Sequence, residues 1–120
     1  MEFKELQSRA GKIAHDHGWD DEPVDFGMSM ALIHSEISEA LEHYRSGRKV
    51  DDIFLNDSKG IGDDSGNLLP KPDGIPIELA DIIIRVMHFA SVEGIDLEHA
   101  LNLKLEYNEA RPYRHGGLKA

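Results

Sequence analysis

Glu36 and Glu39 stand three residues apart in a stretch with helical periodicity, and Glu78 and Asp81 repeat that spacing where nearly every neighbour is aliphatic. At about 100° per residue, positions three apart on a helix project the same way, so each pair forms one acidic edge. An ionised carboxylate buried alone costs several kcal/mol, and a countercharge must accompany it. Arg85, four residues after Asp81, is the local candidate; taken by themselves, Glu78, Asp81 and Arg85 read as a structural ion pair near a helix start. One arginine does not neutralise four carboxylates converging from two helices. One or two Mg2+ ions do, because hard cations take carboxylate oxygens and keep waters, with Mn2+ as a substitute.

Other metals fit less well. A di-iron site on a helical bundle needs Glu-x-x-His on two helices, and only Asp96-Leu97-Glu98-His99 comes near, with Asp96 better used as a helix cap. Zinc prefers histidine or thiolate, yet the chain has no cysteine and its seven histidines are scattered. His34, His43 and His88 are expected as partly buried, satisfied side chains rather than ligands. The aspartates between residues 46 and 74 do not follow EF-hand spacing.

A second constellation is basic. Lys104, Asn108 and Arg111 fall at intervals of four and three and continue the stripe of Leu97 and Leu101, so they are expected to face inward while Glu106 and Glu109 face solvent. Residues 111 to 119 then hold Arg111, Arg114 and Lys119 without an acid. Such a segment is either a loose basic terminus or a phosphate clamp, in which Arg and Lys donate to phosphate oxygens and Gly116 and Gly117 let the backbone approach.

Four helices are predicted to position these groups. The first, Phe3 to His17, carries Phe3, Leu6, Ala10, Ile13 and Ala14 at helical spacing and stops at Gly18. The second, Met28 to Arg45, has Ile33, Ile37, Ala40, Leu41 and Tyr44 on one stripe, Asp25 or Ser29 as a cap, and Gly47 beyond its end. The third opens with Pro76 and closes before Gly94; its aliphatic residues point in every direction, which suits a central helix or one in a subunit interface. The fourth runs from a cap at Asp96 to about Ala110, ahead of Pro112. Residues 46 to 74 read as a long loop, a mobile lid or insert.

The chain has 120 residues, enough for one domain and too few for two cores. Its 40% hydrophobic and 30% charged residues exclude a disordered class, and no apolar run of about 18 residues exists to cross a membrane. The N-terminus lacks a signal-like layout and cysteine is absent, which points to a reducing cytoplasm. A net charge of -10 argues against nucleic acid as a partner and implies bridging cations if phosphates are handled.

Glu36-x-x-Glu39, the run Gly74-Ile75-Pro76-Ile77-Glu78-Leu79-Ala80-Asp81 through Arg85, and Lys104-x-x-x-Asn108-x-x-Arg111-Pro112-Tyr113-Arg114-His115-Gly116-Gly117 together resemble the MazG-like all-alpha nucleoside triphosphate pyrophosphohydrolases. The likeness covers about residues 28 to 119. It implies an all-α, four-helix bundle-like domain that hydrolyses nucleoside triphosphates between the α and β phosphates with Mg2+, as a homodimer or dimer of dimers in nucleotide-pool sanitation. Carried over, the metal ligands are Glu36, Glu39, Glu78 and Asp81, with Glu36 or Glu39 as the water-activating base. The phosphate contacts are Lys104, Asn108 and Arg111, with Tyr113 and Lys119 beside them, and Trp19 or Phe26 offers a ring for stacking a nucleobase. The chain departs from the longer family motif by having Ser35 where a second acid often precedes Glu36, and by the long spacer between Glu39 and Glu78. The alternative is a non-enzymatic acidic module that binds metal or a partner; acids set among isoleucines on the third helix speak against a docking face.

Overall fold

In the computed structural model, residues 2–23, 25–62 and 65–112 are described, and they form four helices and one hairpin. Helix α1 spans Phe3–Asp16, α2 Phe26–Arg45, α3 Ile75–Val92 and α4 Leu97–Ala110; strands β1, Phe54–Gly62, and β2, Leu68–Asp73, lie between α2 and α3. Local chemistry sets the helix starts. The Asp25 carboxylate accepts the Gly27 amide at 3.1 Å, the Asp96 carboxylate accepts the His99 amide at 3.1 Å, and Pro76 sits in the first turn of α3. A side-chain cap of this kind satisfies one of the orphan amides of a helix start and stabilises it by about 1 kcal/mol.

α3 is the centre of the molecule, packed against α2, α1 and the end of β2. Ala10 and Ala14 of α1 and Met87 and Ala90 of α3 are buried, and the alanines let the two helices come close while Met87 fills the space beside them. α2 and α3 run antiparallel. Glu36 pairs with Arg85 and His43 with Glu78, so partner numbers fall along α3 as they rise along α2.

The segment expected to be a loop is instead an antiparallel hairpin, so the fold is mixed α and β rather than all-α. Phe54 anchors its base: the Arg48 guanidinium lies 3.6 Å from the ring centroid, and the His43 ring meets it edge-on at 5.9 Å. The pairing register shifts between Asn56, opposite Lys71, and Ile61, opposite Leu69, so that Asp57 to Gly60 face the single residue Pro70. Within this bulge a Cβ on Gly60 would lie 2.8 Å from the Leu69 carbonyl oxygen, which leaves glycine as the residue that fits.

Much apolar surface stays uncovered. The chain exposes 9313 Å2, whereas a compact monomer of this mass exposes about 6,500 Å2. Its radius of gyration is 17.5 Å, against about 14 Å for a compact domain of this length. Leu79 and Ile83 on α3, and Ile37 and Leu41 on α2, are all at least half exposed. α4 makes no extended packing with any other element and buries none of its residues, so its leucine stripe is not turned into the body of the chain as the periodicity suggested.

Candidate metal centre

The antiparallel crossing of α2 and α3 brings three of the four expected acids together. One carboxylate oxygen each from Glu36, Glu78 and Asp81 lies within 4.8 Å of the others. Glu36 and Glu78 are buried, Asp81 is half-buried, and Glu39 is exposed at the rim. The Arg85 guanidinium donates to Glu36 Oε1 at 2.9 Å, so the arginine expected to serve Asp81 reaches across to α2. The remaining oxygens, Glu36 Oε2 and Glu78 Oε2, are buried without a hydrogen-bond partner. A buried acceptor left unsatisfied costs about 1 to 3 kcal/mol, and more when charged. Both orphaned oxygens belong to the cluster. This donor set of hard, desolvated carboxylates fits Mg2+ or Mn2+.

The electrostatics carry the same imprint. Burial, together with the neighbouring Glu36 and Glu39 carboxylates, pushes the Glu78 carboxyl up to about 8. Asp81 is raised as well, by burial and then by the Glu36 charge, with Arg85 and Lys71 opposing. Burial works against ionisation of Glu36 too, but the Glu78 carboxyl and the Arg85 guanidinium outweigh it and hold Glu36 below its ordinary value.

A second group shares Glu78. His43 Nε2 lies 2.9 Å from Asp73 Oδ1 and 3.3 Å from Glu78 Oε1, and the three offer metal-ligating atoms within 4.8 Å of one another. Asp73 is buried and accepts the Gly74 amide at 2.9 Å. Despite its burial it is held below the usual carboxylate range by that amide, by Lys71 and by His43. Gly74 makes this arrangement possible. Its φ of 116° lies where side chains rarely go, and a Cβ there would collide with the Asp52 carbonyl oxygen. The sequence reads His43 as a partly buried, satisfied side chain, as it is here between Asp73 and Glu78, and it gives no role to Asp73. A signal existed for His43, which follows Glu39 by four residues and so shares the acidic edge of α2; Asp73 sat in the presumed loop and gave none.

Two cavities flank the acids. One, of about 440 Å3, is lined by Trp19, Met28, Leu32, Arg85, His88 and Phe89 among others. Trp19 is largely exposed there, and His88 Nε2 is buried without a partner. Phe26, the other aromatic candidate, stacks edge-on against Phe89 at 5.6 Å. The other cavity, of about 190 Å3, lies under the hairpin and is lined by Glu39, Glu42, His43, Asp73, Glu78 and the two lysines Lys59 and Lys71.

The basic constellation is not brought to the acids within one chain. Lys104 and Arg111 lie over the Tyr107 ring at 4.7 and 5.8 Å, and Asn108 is exposed on the same helix. Tyr113 and Lys119 lie outside the described residues. No helix among the described residues is long and apolar enough to cross a membrane. Compared with known protein families, characterised proteins and solved structures, the chain matches none.

Proposed function

We propose that this chain is a divalent-cation-dependent nucleoside triphosphate pyrophosphohydrolase of the MazG-like kind, giving a nucleoside monophosphate and pyrophosphate. The observation that carries the reading is the pair of buried, unpartnered oxygens, Glu36 Oε2 and Glu78 Oε2, grouped with Asp81. Glu36, Glu78 and Asp81 would hold Mg2+, or Mn2+ in its place, with Glu39 at the rim; the bound cation neutralises phosphate charge and acidifies water. Glu39 is the proton acceptor in this reading, since it is exposed at the edge of the cluster whereas Glu36 is engaged by Arg85. Water oxygen bonds to the α-phosphorus, the bond from that phosphorus to the bridging oxygen breaks, pyrophosphate leaves, and Glu39 takes the water proton. Trp19 offers its exposed ring to the nucleobase in the larger cavity.

The partner in this reading is a second copy of the chain, in a homodimer or dimer of dimers. The surface that supports it is the aliphatic face of α2 and α3, where Ile37, Leu41, Leu79 and Ile83 are all at least half exposed. α4, unsupported in its own chain, would then bring Lys104, Asn108 and Arg111 to the phosphates across that interface. The place of action is the cytoplasm. The test is incubation with each common nucleoside triphosphate and Mg2+, with products read by 31P nuclear magnetic resonance. Monophosphate and pyrophosphate in equal amounts, abolished by chelator, support the reading; orthophosphate as the first product, or no turnover of any triphosphate, overturns it.

A further inference from the structure

The cavity beneath the hairpin combines features that a cation site alone does not need. Its floor is His43, Asp73 and Glu78, and its wall carries Lys59 of β1 and Lys71 of β2. Neither lysine makes an ion pair within 4 Å among the described residues, although both stand beside several acids. What sets Lys59 and Lys71 apart from the other lysines is that both line one cavity together with His43, Asp73 and Glu78. Lys71 acts on Asp73 and Asp81 at longer range, and without a close pair both amines keep donors available to a further anion.

The hairpin is built to put them there. Lys71 pairs with Asn56 in the regular part of the ladder, while Lys59 sits in the bulge where Asp57 to Gly60 face Pro70. A bulge re-aims side chains that a regular ladder would direct elsewhere, and here it brings a β1 lysine to the rim that Lys71 already occupies. Gly60, which alone tolerates the approach of the Leu69 carbonyl, allows the bulge to close. Along the antiparallel helices the order is then an aromatic cavity, the Glu36–Glu78–Asp81 cluster, and the lysine-walled cavity. Ser29, Glu36 and His43 mark these stations on α2, about 10 Å apart at 1.5 Å per residue.

We infer that the bulged hairpin is a clasp for the distal phosphates, with Lys59 and Lys71 as the side chains that bind the pyrophosphate portion of the substrate. The inference rests on the pyrophosphohydrolase reading for the identity of the whole substrate, but the anion site itself is tested without turnover. The probe is inorganic pyrophosphate as its Mn2+ complex, titrated calorimetrically into the Mn2+-saturated full chain, with Mn2+ affinity measured separately by electron paramagnetic resonance. Lys59→Ala and Lys71→Ala each weaken pyrophosphate binding about tenfold or more, the scale of a hydrogen bond to a charged group, and leave Mn2+ affinity within about twofold of wild type. Lys71→Arg retains binding, and Lys49→Ala, outside the cavity, changes nothing. Wild type that binds no pyrophosphate, or lysine variants that bind it like wild type while nucleotide hydrolysis proceeds, overturns the clasp and leaves the hydrolase reading standing or falling on its own assay. Lysine-dependent pyrophosphate binding without hydrolysis of any triphosphate upholds the clasp and sinks the hydrolase reading.

Discussion

Glu78 belongs to both candidate cation groups and has a buried oxygen with no partner. Its carboxyl is pushed from the ordinary 4.5 up to about 8, by burial first and then by Glu36 and Glu39. The folded chain therefore holds a proton that the unfolded chain releases, and the associated stability is full below about 4.5 and lost as pH rises through about 8. Asp81 acts in the same direction, whereas Glu36 and Asp73, held low, act at more acid pH. In chelator, thermal melts should fall between pH 5 and pH 8, and Mn2+ should raise the melting temperature most at the alkaline end; Glu78→Gln should flatten the first trend. A metal-free melting temperature that climbs over this range would contradict the assignment. Glu39→Gln should lower pyrophosphate release at least about 100-fold, the lower range for a lost proton acceptor; Asp81→Asn should lower it by removing a cation ligand and should raise stability in chelator by relieving like-charge repulsion. Full activity in both variants would remove the acids from the chemistry. The acids were legible because their spacing survives without any knowledge of what lies opposite. The partner of Arg85 was not: helix periodicity places Asp81 one turn away, and only the α2 crossing shows Glu36 closer to hand.

Gly74 is the junction at which β2 hands the chain to α3, with Asp73 on one side and Glu78 in the first turn on the other. Gly74→Ala should cost about 1 to 3 kcal/mol in urea unfolding, the usual scale for a strained backbone position, and should weaken Mn2+ binding because Asp73 and Glu78 move with the turn. Unchanged stability would mean that the chain re-routes past the Asp52 carbonyl without strain. The four helices could be read from the sequence almost to their ends, since Asp25, Pro76 and Asp96 are start signals and the apolar spacing is helical. The hairpin could not. Its apolar residues come in short pairs such as Phe54-Leu55 and Leu68-Leu69, the bulge breaks their alternation, and Pro70 and Pro72 argue against a strand. A two-stranded sheet has only edge strands, which is why the prolines are tolerated. The α4 stripe teaches a related point: periodicity reports that a face is apolar, and leaves open whether its own chain covers it.

For the whole molecule, the exposed aliphatic residues of α2 and α3 set the expectation that the chain sediments as a dimer or tetramer at micromolar concentration. Ile83→Asp, which puts a charge on the open face of α3, should shift it to monomer and abolish hydrolysis, while Mn2+ binding by Glu36, Glu78 and Asp81 persists. A stable wild-type monomer with full activity would refute the shared-interface reading. The contact between Gly74 and the Asp52 carbonyl has a further consequence for the architecture. The chain leaves the helical body and returns to it at one point, so residues 53 to 73 hang on the bundle as a detachable module rather than as a thread through it. Rejoining residue 52 to Gly74 by a short turn would span almost no distance and leave the α1–α3 and α2–α3 packing untouched. The bundle would keep Glu36, Glu78 and Asp81 but lose Asp73 and both hairpin lysines, so the helices carry the cation cluster and the hairpin is an appendage that supplies the rest of the lining.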